Sequence, residues 1–116
     1  MKTSTGITFP RRGEIYLVEI PDDPKERPAI VLSSDVLNRF ALDVVVVPVT
    51  TVERGRFSTR ILLTPGEGGL RKRCYAKCDQ VTNVNKRRLL RGPFRGSLSR
   101  AKLAEIEDGV RLALEL

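Results

Sequence analysis

The chain has 116 residues, of which 21 are Lys or Arg and 14 are Asp or Glu, and its net charge is +7. This length fits one compact domain, and 41% apolar with 30% charged residues is typical of a folded soluble chain. The longest apolar run, Val44–Val49, is far shorter than the roughly 20 residues of a transmembrane helix. Residues 1–10 form a polar tail without the apolar segment of a signal peptide, so we expect a cytoplasmic protein with no membrane partner.

The chain contains two cysteines, Cys74 and Cys78, and no histidine. A structural zinc site takes four Cys or His ligands, and a catalytic zinc site usually takes three protein ligands. The lack of histidine also excludes a Ser-His or Cys-His nucleophile pair. We therefore predict no metal site and no cofactor, and we expect both thiols to be small buried hydrophobic groups that share one face of a strand.

The first half of the chain is predicted to form three strands. Apolar and polar residues alternate over residues 13–20, which indicates the first strand. A short polar loop over residues 21–26 leads to the second strand, residues 28–33, whose continuous apolar sequence indicates burial on both faces. A capped helical turn is predicted over residues 34–40. The third strand covers residues 44–51, the segment richest in β-branched side chains.

The second half is predicted to form three more strands and a helix. Residues 58–63 and 74–81 read as the fourth and fifth strands, and residues 93–96 end a short sixth. Ser99 then caps a helix whose apolar residues recur at helical spacing: Leu103, Ile106, Val110, Ala113 and Leu114. Short strands followed by one amphipathic helix indicate a small, strongly curved β-barrel with the helix packed against it. We place this single domain at residues 11–116.

Basic residues are concentrated in the second half of the chain. The stretch from Arg71 to Lys102 contains eleven basic residues and one acidic residue, a net charge of +10, whereas the remainder carries −3. Such a stripe is the electrostatic feature expected of a polyanion binder, and a solvated basic surface without a partner is the alternative. Tyr75 and Phe94 lie among these charges, where they can stack on bases or belong to the core.

A few polar positions become candidate catalytic residues if the polyanion is RNA. Histidine, the usual proton carrier, is absent. Arginine holds phosphate in a bidentate manner but is a poor proton donor, because its pKa exceeds about 12. Arg27 is held extended by the proline that follows it, and Thr50 follows a proline that removes a ladder donor. Taken singly, a solvated or ion-paired surface arginine and an ordinary strand threonine are the default explanations of these two residues.

Asp79 and Gln80 form a polar pair inside an otherwise apolar predicted strand. Buried polar side chains need hydrogen-bond partners. A structural hydrogen-bond network and a base-reading site would each supply them, so both interpretations are open from the residues alone.

Five short blocks of the sequence carry a resemblance to a known family. In chain order they are Arg12–Tyr16, Arg27–Ser33, Val46–Thr51, Asp79–Val81 and Leu98–Ser99. Their order and spacing, over roughly residues 11–116, resemble the MazF/PemK family of toxin endoribonucleases. Each block alone is weak, but the set of five is fairly specific.

The resemblance implies a fold, an activity and partners. The fold is an SH3-like β-barrel with a C-terminal helix, which these toxins share with related gyrase poisons. The activity is sequence-selective, metal-independent cleavage of single-stranded RNA, chiefly mRNA, to a 2′,3′-cyclic phosphate and a 5′-hydroxyl. The protein would be the toxin of a type II toxin–antitoxin system that inhibits translation and growth. It would form a homodimer with RNA bound across the interface, and a cognate antitoxin would insert an acidic or apolar tail into the same groove.

The resemblance also assigns roles to residues. Arg27 matches the family's catalytic arginine, and Thr50 matches the threonine thought to stabilise the transition state. The further predicted RNA-binding residues are Thr51, Arg56, Arg73 and Gln80. Many family members have a longer loop before the Arg-Pro block, often containing Gly-Ser-Glu-Gln, whereas only residues 21–26 precede it here. Glu26 is the candidate replacement for the missing glutamate base.

Two other functions are open. A gyrase poison of the same fold would act on a protein target, but such toxins rely on a C-terminal tail that contains tryptophan, and this chain has no tryptophan. A non-catalytic barrel that binds RNA is the second alternative, because the short loop removes one candidate base.

Overall fold

The structure is a computed structural model of the chain and describes residues 8–23, 25–53 and 59–116. The strands in these ranges are β1 (Ile15–Glu19), β2 (Glu26–Val31), β3 (Asp43–Thr50), β4 (Arg60–Leu63), β5 (Cys74–Lys77), β6 (Thr82–Asn85) and β7 (Leu89–Arg91). The helices are α1 (Asp35–Phe40) and α2 (Arg100–Leu114). Short 3₁₀ turns cover Glu67–Gly69, Cys78–Gln80 and Lys86–Arg88.

The strands form one antiparallel sheet. Their order is β4-β5-β3-β2-β1-β7, and β6 also pairs with β3. Strand β3 changes partner along one edge: residues 43–46 pair with β6, and Val49 and Thr50 pair with β5. Its other edge pairs with β2. The sheet is open between β4 and β7 in the described residues, and this strand order is compatible with the barrel-like fold that the sequence predicts.

Apolar side chains fill both faces of this sheet. One cluster packs beneath α2 and includes Ile15, Ile30, Val49, Ile106 and Val110. A second cluster occupies the opposite face: Val18, Ala29, Val44, Val46 and Val84. Because neighbouring residues of a strand point to opposite faces, β2 contributes to both clusters. The predicted burial of this strand on both faces is therefore correct.

Helix α2 begins and packs as its sequence predicts. Ser99 is the N-cap, and its hydroxyl oxygen accepts a hydrogen bond from the backbone N–H of Lys102 at 3.2 Å. Ile106 and Val110 are buried, and Leu103 packs against the same cluster. Leu114, which the same spacing assigned to the buried face, is 53% exposed. No helix in the described ranges is long and apolar enough to cross a membrane.

The predicted fifth strand, residues 74–81, is too long. Strand β5 ends at Lys77, and residues 78–80 form a 3₁₀ turn. Asp79 and Gln80 are exposed on this turn and are not buried in a strand. Water can therefore hydrate their polar groups, whereas burying these groups without partners would cost free energy. Cys74 and Cys78 are both buried, as predicted, but they do not lie on one strand.

Candidate active site

Four polar side chains from four strands meet in one cavity of about 300 Å³. Strand alternation places them on the face of the sheet opposite α2, because residues an odd number of positions away in the same strands belong to the cluster beneath that helix: Ile30, Val49, Leu63 and Ala76. The cavity is lined by Arg27 of β2, Thr50 of β3, Arg60 of β4, Lys77 of β5, and by Val52 and Gln80. The structure thus brings both predicted catalytic residues together.

Arg27 is oriented by the short loop that precedes it. Its Nε donates a hydrogen bond to Asp23 Oδ2 at 3.1 Å, and Asp23 Oδ1 accepts the backbone N–H of Lys25 at 3.0 Å. The Lys25 N–H, and to a smaller extent Arg27, hold the pKa of Asp23 below its usual value, so this carboxylate is ionised at neutral pH. The Arg27 side chain is 36% exposed and is accessible to a ligand.

Thr50 is the last residue of β3 and pairs across the ladder with Tyr75. Its hydroxyl oxygen accepts the backbone N–H of Val52 at 3.1 Å. This contact fixes the oxygen at the edge of the cavity. The hydroxyl can then donate a hydrogen bond to a phosphate oxygen. A threonine held in this way supplies a directed neutral donor beside the guanidinium of Arg27.

Arg60 and Lys77 are cavity residues that the sequence analysis missed. They pair directly across β4 and β5. The Arg60 side chain is only 16% exposed, its Nε lies 3.5 Å from Asp79 Oδ1, and this nitrogen is buried without a hydrogen-bond partner in the described residues. Burial and the charges of Arg27 and Arg60 lower the pKa of Lys77, while Asp23 and Asp79 raise it. One sequence feature could have identified Lys77: it is the one charged residue in the otherwise apolar segment 74–78.

The other predicted site residues are distributed around the cavity. Gln80 lines it. Thr51 is exposed and lines a neighbouring groove, and Arg73 is exposed beside Tyr75. Glu26 is exposed and pairs with Glu19; because it precedes Arg27 in the strand, its side chain lies on the opposite face. Arg56 lies outside the described residues.

The neighbouring groove is larger, about 650 Å³. We call it the basic groove, because four cations line an otherwise mostly apolar surface. Its lining consists of Pro28, Thr51, Gly69, Leu70, Arg71, Lys72, Cys74, Arg91, Phe94 and Arg95. Pro28 and Thr51 directly follow Arg27 and Thr50 in the chain, so the groove adjoins the cavity.

Close backbone contact shapes one wall of the basic groove. Gly69 has a φ of +84°, and a Cβ there would lie 2.5 Å from the backbone oxygen of Arg95. Only glycine tolerates both the backbone conformation and this approach. The 67–69 turn is therefore held against the segment that carries Phe94 and Arg95.

Comparison with known proteins agrees with this architecture. Residues 11–114 match the family model of PemK-like, MazF-like toxins of type II toxin–antitoxin systems. Endoribonuclease MazF9 of Mycobacterium tuberculosis (strain ATCC 25618 / H37Rv) is 35% identical, over 91% of this chain and 97% of that protein. An endoribonuclease from a mycobacterial species, solved in complex with its cognate antitoxin, is 27% identical with a TM-score of 0.78, over 92% and 96% of the two chains. MazF from Deinococcus radiodurans, at 19% identity and a TM-score of 0.77 over 95% and 100%, shares the fold.

The chain belongs to the family of PemK-like, MazF-like toxins of type II toxin–antitoxin systems. The predicted family is confirmed, and so is the predicted class of a mostly β fold with a C-terminal helix. The prediction of an enzyme of the endoribonuclease class is likewise confirmed at the level of the family.

Proposed function

We propose that this toxin cleaves single-stranded RNA at selected sequences, without a metal ion, and leaves a 2′,3′-cyclic phosphate and a 5′-hydroxyl. Cleavage of mRNA in the cytoplasm would inhibit translation and growth. The observation that carries the proposal is the convergence of Arg27, Thr50, Arg60 and Lys77 in one cavity beside the basic groove. The likeness to an endoribonuclease over nearly the whole chain supports it.

In this reaction the 2′-oxygen attacks the adjacent phosphorus, and negative charge grows on the non-bridging phosphate oxygens. Arg27 stabilises this charge, because its guanidinium is always cationic and can contact two oxygens at once. Thr50 donates its hydroxyl hydrogen to the same group. Both donors are positioned before the substrate arrives, by Asp23 and by the Val52 N–H, and preorganised donors of this kind stabilise a transition state most effectively.

The basic groove binds the RNA that flanks the cut. Arg71, Lys72, Arg91 and Arg95 line it, and each contact between a cation and a phosphate adds affinity by releasing a counterion. Phe94 offers an aromatic face for base stacking. Thr51 and Gln80 place hydrogen-bonding groups at the junction of groove and cavity, where they can read base edges and select the sequence that is cut.

A cognate antitoxin is the proposed protein partner, and a homodimer is the proposed assembly. The apolar floor and cationic lining of the basic groove suit an acidic or apolar peptide tail, which would compete with RNA for the same cations. A structural relative was solved with its cognate antitoxin. This arrangement would silence the nuclease without a change in its fold.

The test is cleavage of a long single-stranded RNA by the purified protein in EDTA, with the fragment ends mapped. We expect discrete cuts that end in a 2′,3′-cyclic phosphate. Arg27→Ala should lower the rate by about 100-fold or more, because removal of one transition-state donor costs this much in enzymes. Arg111→Ala is the matched control, since Arg111 lies on α2 and pairs with Asp108.

Intact RNA after incubation with folded wild-type protein would contradict the proposal. Binding without cleavage would then favour the non-catalytic RNA-binding barrel, and inhibition of gyrase supercoiling would favour the gyrase poison. Full activity of Arg27→Ala would remove the assigned role of this residue.

A further inference from the structure

The two sides of the basic groove come from segments that are distant in the chain. One side, residues 69–72, lies between β4 and β5. The other side carries Arg91, Phe94 and Arg95 and comprises the end of β7 and the segment before α2. In the described ranges β7 pairs with β1 alone, so no strand ladder joins the two sides. Contacts between the connecting segments therefore set the distance across the groove.

Glu67 makes two hydrogen bonds that join these segments. Its Oε1 accepts the backbone N–H of Ser99 at 3.0 Å, and its Oε2 accepts the Ser99 hydroxyl at 3.0 Å. Glu67 begins the turn that carries Gly69, and Gly69 packs against the backbone of Arg95. The carboxylate thus holds in place a turn that already lies against the opposite side of the groove.

The start of α2 explains why an acidic side chain is needed at this point. In a capping box, a Glu or Gln at the third helical residue accepts the backbone N–H of the N-cap. The third helical residue here is Lys102, which has donors and no acceptor, and the first turn of α2 contains no acidic residue. Glu67 supplies the missing acceptor from another segment, beside the positive end of the helix dipole.

We infer that Glu67 is a positioning residue for RNA binding: by joining the β4–β5 segment to the start of α2, it holds the cations of the basic groove at a fixed spacing. This inference rests on the proposed function, since it takes RNA as the occupant of the groove. Glu67 lines neither the groove nor the cavity. Its effect on RNA therefore passes through Arg71 on one side and Arg95 on the other.

Electrostatics alone predicts the opposite effect on binding. Glu67 is an acidic residue near a surface for a polyanion, so its removal raises the formal net charge by one and should strengthen RNA binding if charge is all that matters. If Glu67 positions the groove, the same removal weakens binding, because RNA must then order two segments that are no longer joined. The direction of the change separates the two explanations.

RNA affinity in a cleavage-deficient Arg27→Ala parent protein is the first measurement. Glu67→Ala should weaken binding of a short single-stranded RNA about fivefold, which corresponds to about 1 kcal/mol, the usual contribution of a helix cap. The salt slope should fall by about 0.7 for each phosphate contact that is lost. Glu67→Gln keeps an acceptor for the Ser99 N–H, as glutamine does in capping boxes, and should bind nearly as tightly as the parent.

Cleavage kinetics with Arg27 intact give a second readout. Glu67→Ala should raise the RNA concentration that half-saturates cleavage by the same factor as it weakens binding. The single-turnover rate at saturating RNA should stay close to that of wild type, because Glu67 is not a cavity residue. Ser99→Ala keeps the backbone N–H but loses the hydroxyl contact, and this milder change should give a smaller loss of affinity with the same unchanged rate.

Two controls separate positioning from charge and from stability. Asp108→Ala makes the same change in formal charge at an exposed position of α2, where Asp108 pairs with Arg111, and should not weaken binding. Val110→Ala removes a buried side chain about three helical turns beyond Ser99. It should lower the unfolding temperature and leave RNA affinity unchanged at a temperature at which both proteins are folded.

Stronger or unchanged binding by both Glu67→Ala and Ser99→Ala would overturn the assignment of Glu67. An equal loss of affinity in Val110→Ala, or a loss in Glu67→Ala that appears only in the saturating rate, would do the same. If the parent protein binds no RNA, or if Arg71→Gln with Arg95→Gln leaves its affinity unchanged, the proposed RNA-binding groove itself fails. That result is distinguishable, because it does not depend on any variant of Glu67.

Discussion

Asp23, from the β1–β2 loop, is the carboxylate that contacts Arg27. Its Oδ2 accepts the Arg27 Nε hydrogen bond at 3.1 Å, and a turn in which the Asp23 N–H donates to the Ile20 carbonyl at 3.0 Å fixes its position. Glu26 is adjacent to Arg27 in sequence but lies on the other face of β2. The loop is short, yet it still supplies an acidic partner to Arg27.

This difference predicts unequal effects of two conservative substitutions. Asp23→Asn should reduce RNA cleavage on the order of tenfold, because a loosened arginine spends less time in the productive geometry. Glu26→Gln should have little effect, because the Glu26 side chain lies on the face of β2 opposite the cavity. The single-turnover rate on one short RNA measures both, with RNA affinity measured alongside. A large loss in Glu26→Gln with normal Asp23→Asn would instead support Glu26 as the base.

At this scale the sequence predicted part of the site. Arg27 and Thr50 were identifiable because each lies in a distinctive block that contains a proline: Arg27 directly precedes Pro28, and Thr50 lies two residues after Pro48. Arg60 and Lys77 were not, because their role depends on the pairing of β4 with β5, and two residues 17 positions apart in the chain show no local pattern that reveals such a register. Gln80 was assigned to the site, although its exposed 3₁₀ turn was read as part of a buried strand.

At the level of elements, α2 is fixed to the sheet by a close contact at Gly109. A Cβ on this glycine would lie 2.9 Å from Cys78 Sγ and 3.2 Å from Cys78 Cβ. Cys78 is fully buried and directly follows Lys77, so this contact links the position of the helix to the strand that carries a cavity residue. The glycine is in the interior of the helix because no side chain fits there.

Gly109→Ala should therefore destabilise the fold. In an open helix this change would stabilise by about 1 kcal/mol, whereas overpacking typically costs about 1–3 kcal/mol, and we expect a net loss. Cys78→Ala removes the nearest atom and should recover part of that loss, which a double-mutant cycle from urea unfolding would measure. Ala104→Gly, at an exposed position of α2, reports the propensity effect alone. A stabilising Gly109→Ala would contradict the close packing.

The elements with strong periodicity were predicted well, and those without it were not. Helix α2 and strands β1 to β4 match their predicted positions to within a few residues, because burial on a defined face imposes the pattern. Strand β6 was missed because Val84 is the one apolar residue in Thr82–Asn85. Its position comes from pairing with β3, a tertiary contact that overrides weak local preference.

For the whole molecule, the net charge of +7 is distributed over separate surfaces. Arg71, Lys72, Arg91 and Arg95 line the basic groove beside the cavity. The cluster Lys86–Arg88 follows β6, and β6 pairs with the first residues of β3. The cavity residue Thr50 is the last residue of β3. At about 3.3 Å per residue, the seven steps between Asp43 and Thr50 span at most about 23 Å between the cluster and the cavity, and within the groove only Arg91, three residues after Arg88, lies near the cluster in the chain. A short RNA held at the cavity should contact the groove and not the cluster.

Salt dependence of RNA binding distinguishes the two surfaces. In a cleavage-deficient Arg27→Ala background, the logarithm of affinity for a short single-stranded RNA should fall with the logarithm of salt by about 0.7 per phosphate contact. Arg71→Gln with Arg95→Gln removes two groove cations and should reduce the slope by about 1.4, twice that value. Arg87→Gln with Arg88→Gln removes the same charge from two residues that line neither the groove nor the cavity and should leave the slope unchanged. An equal change in both pairs would mean that RNA responds to the overall positive charge and not to the groove.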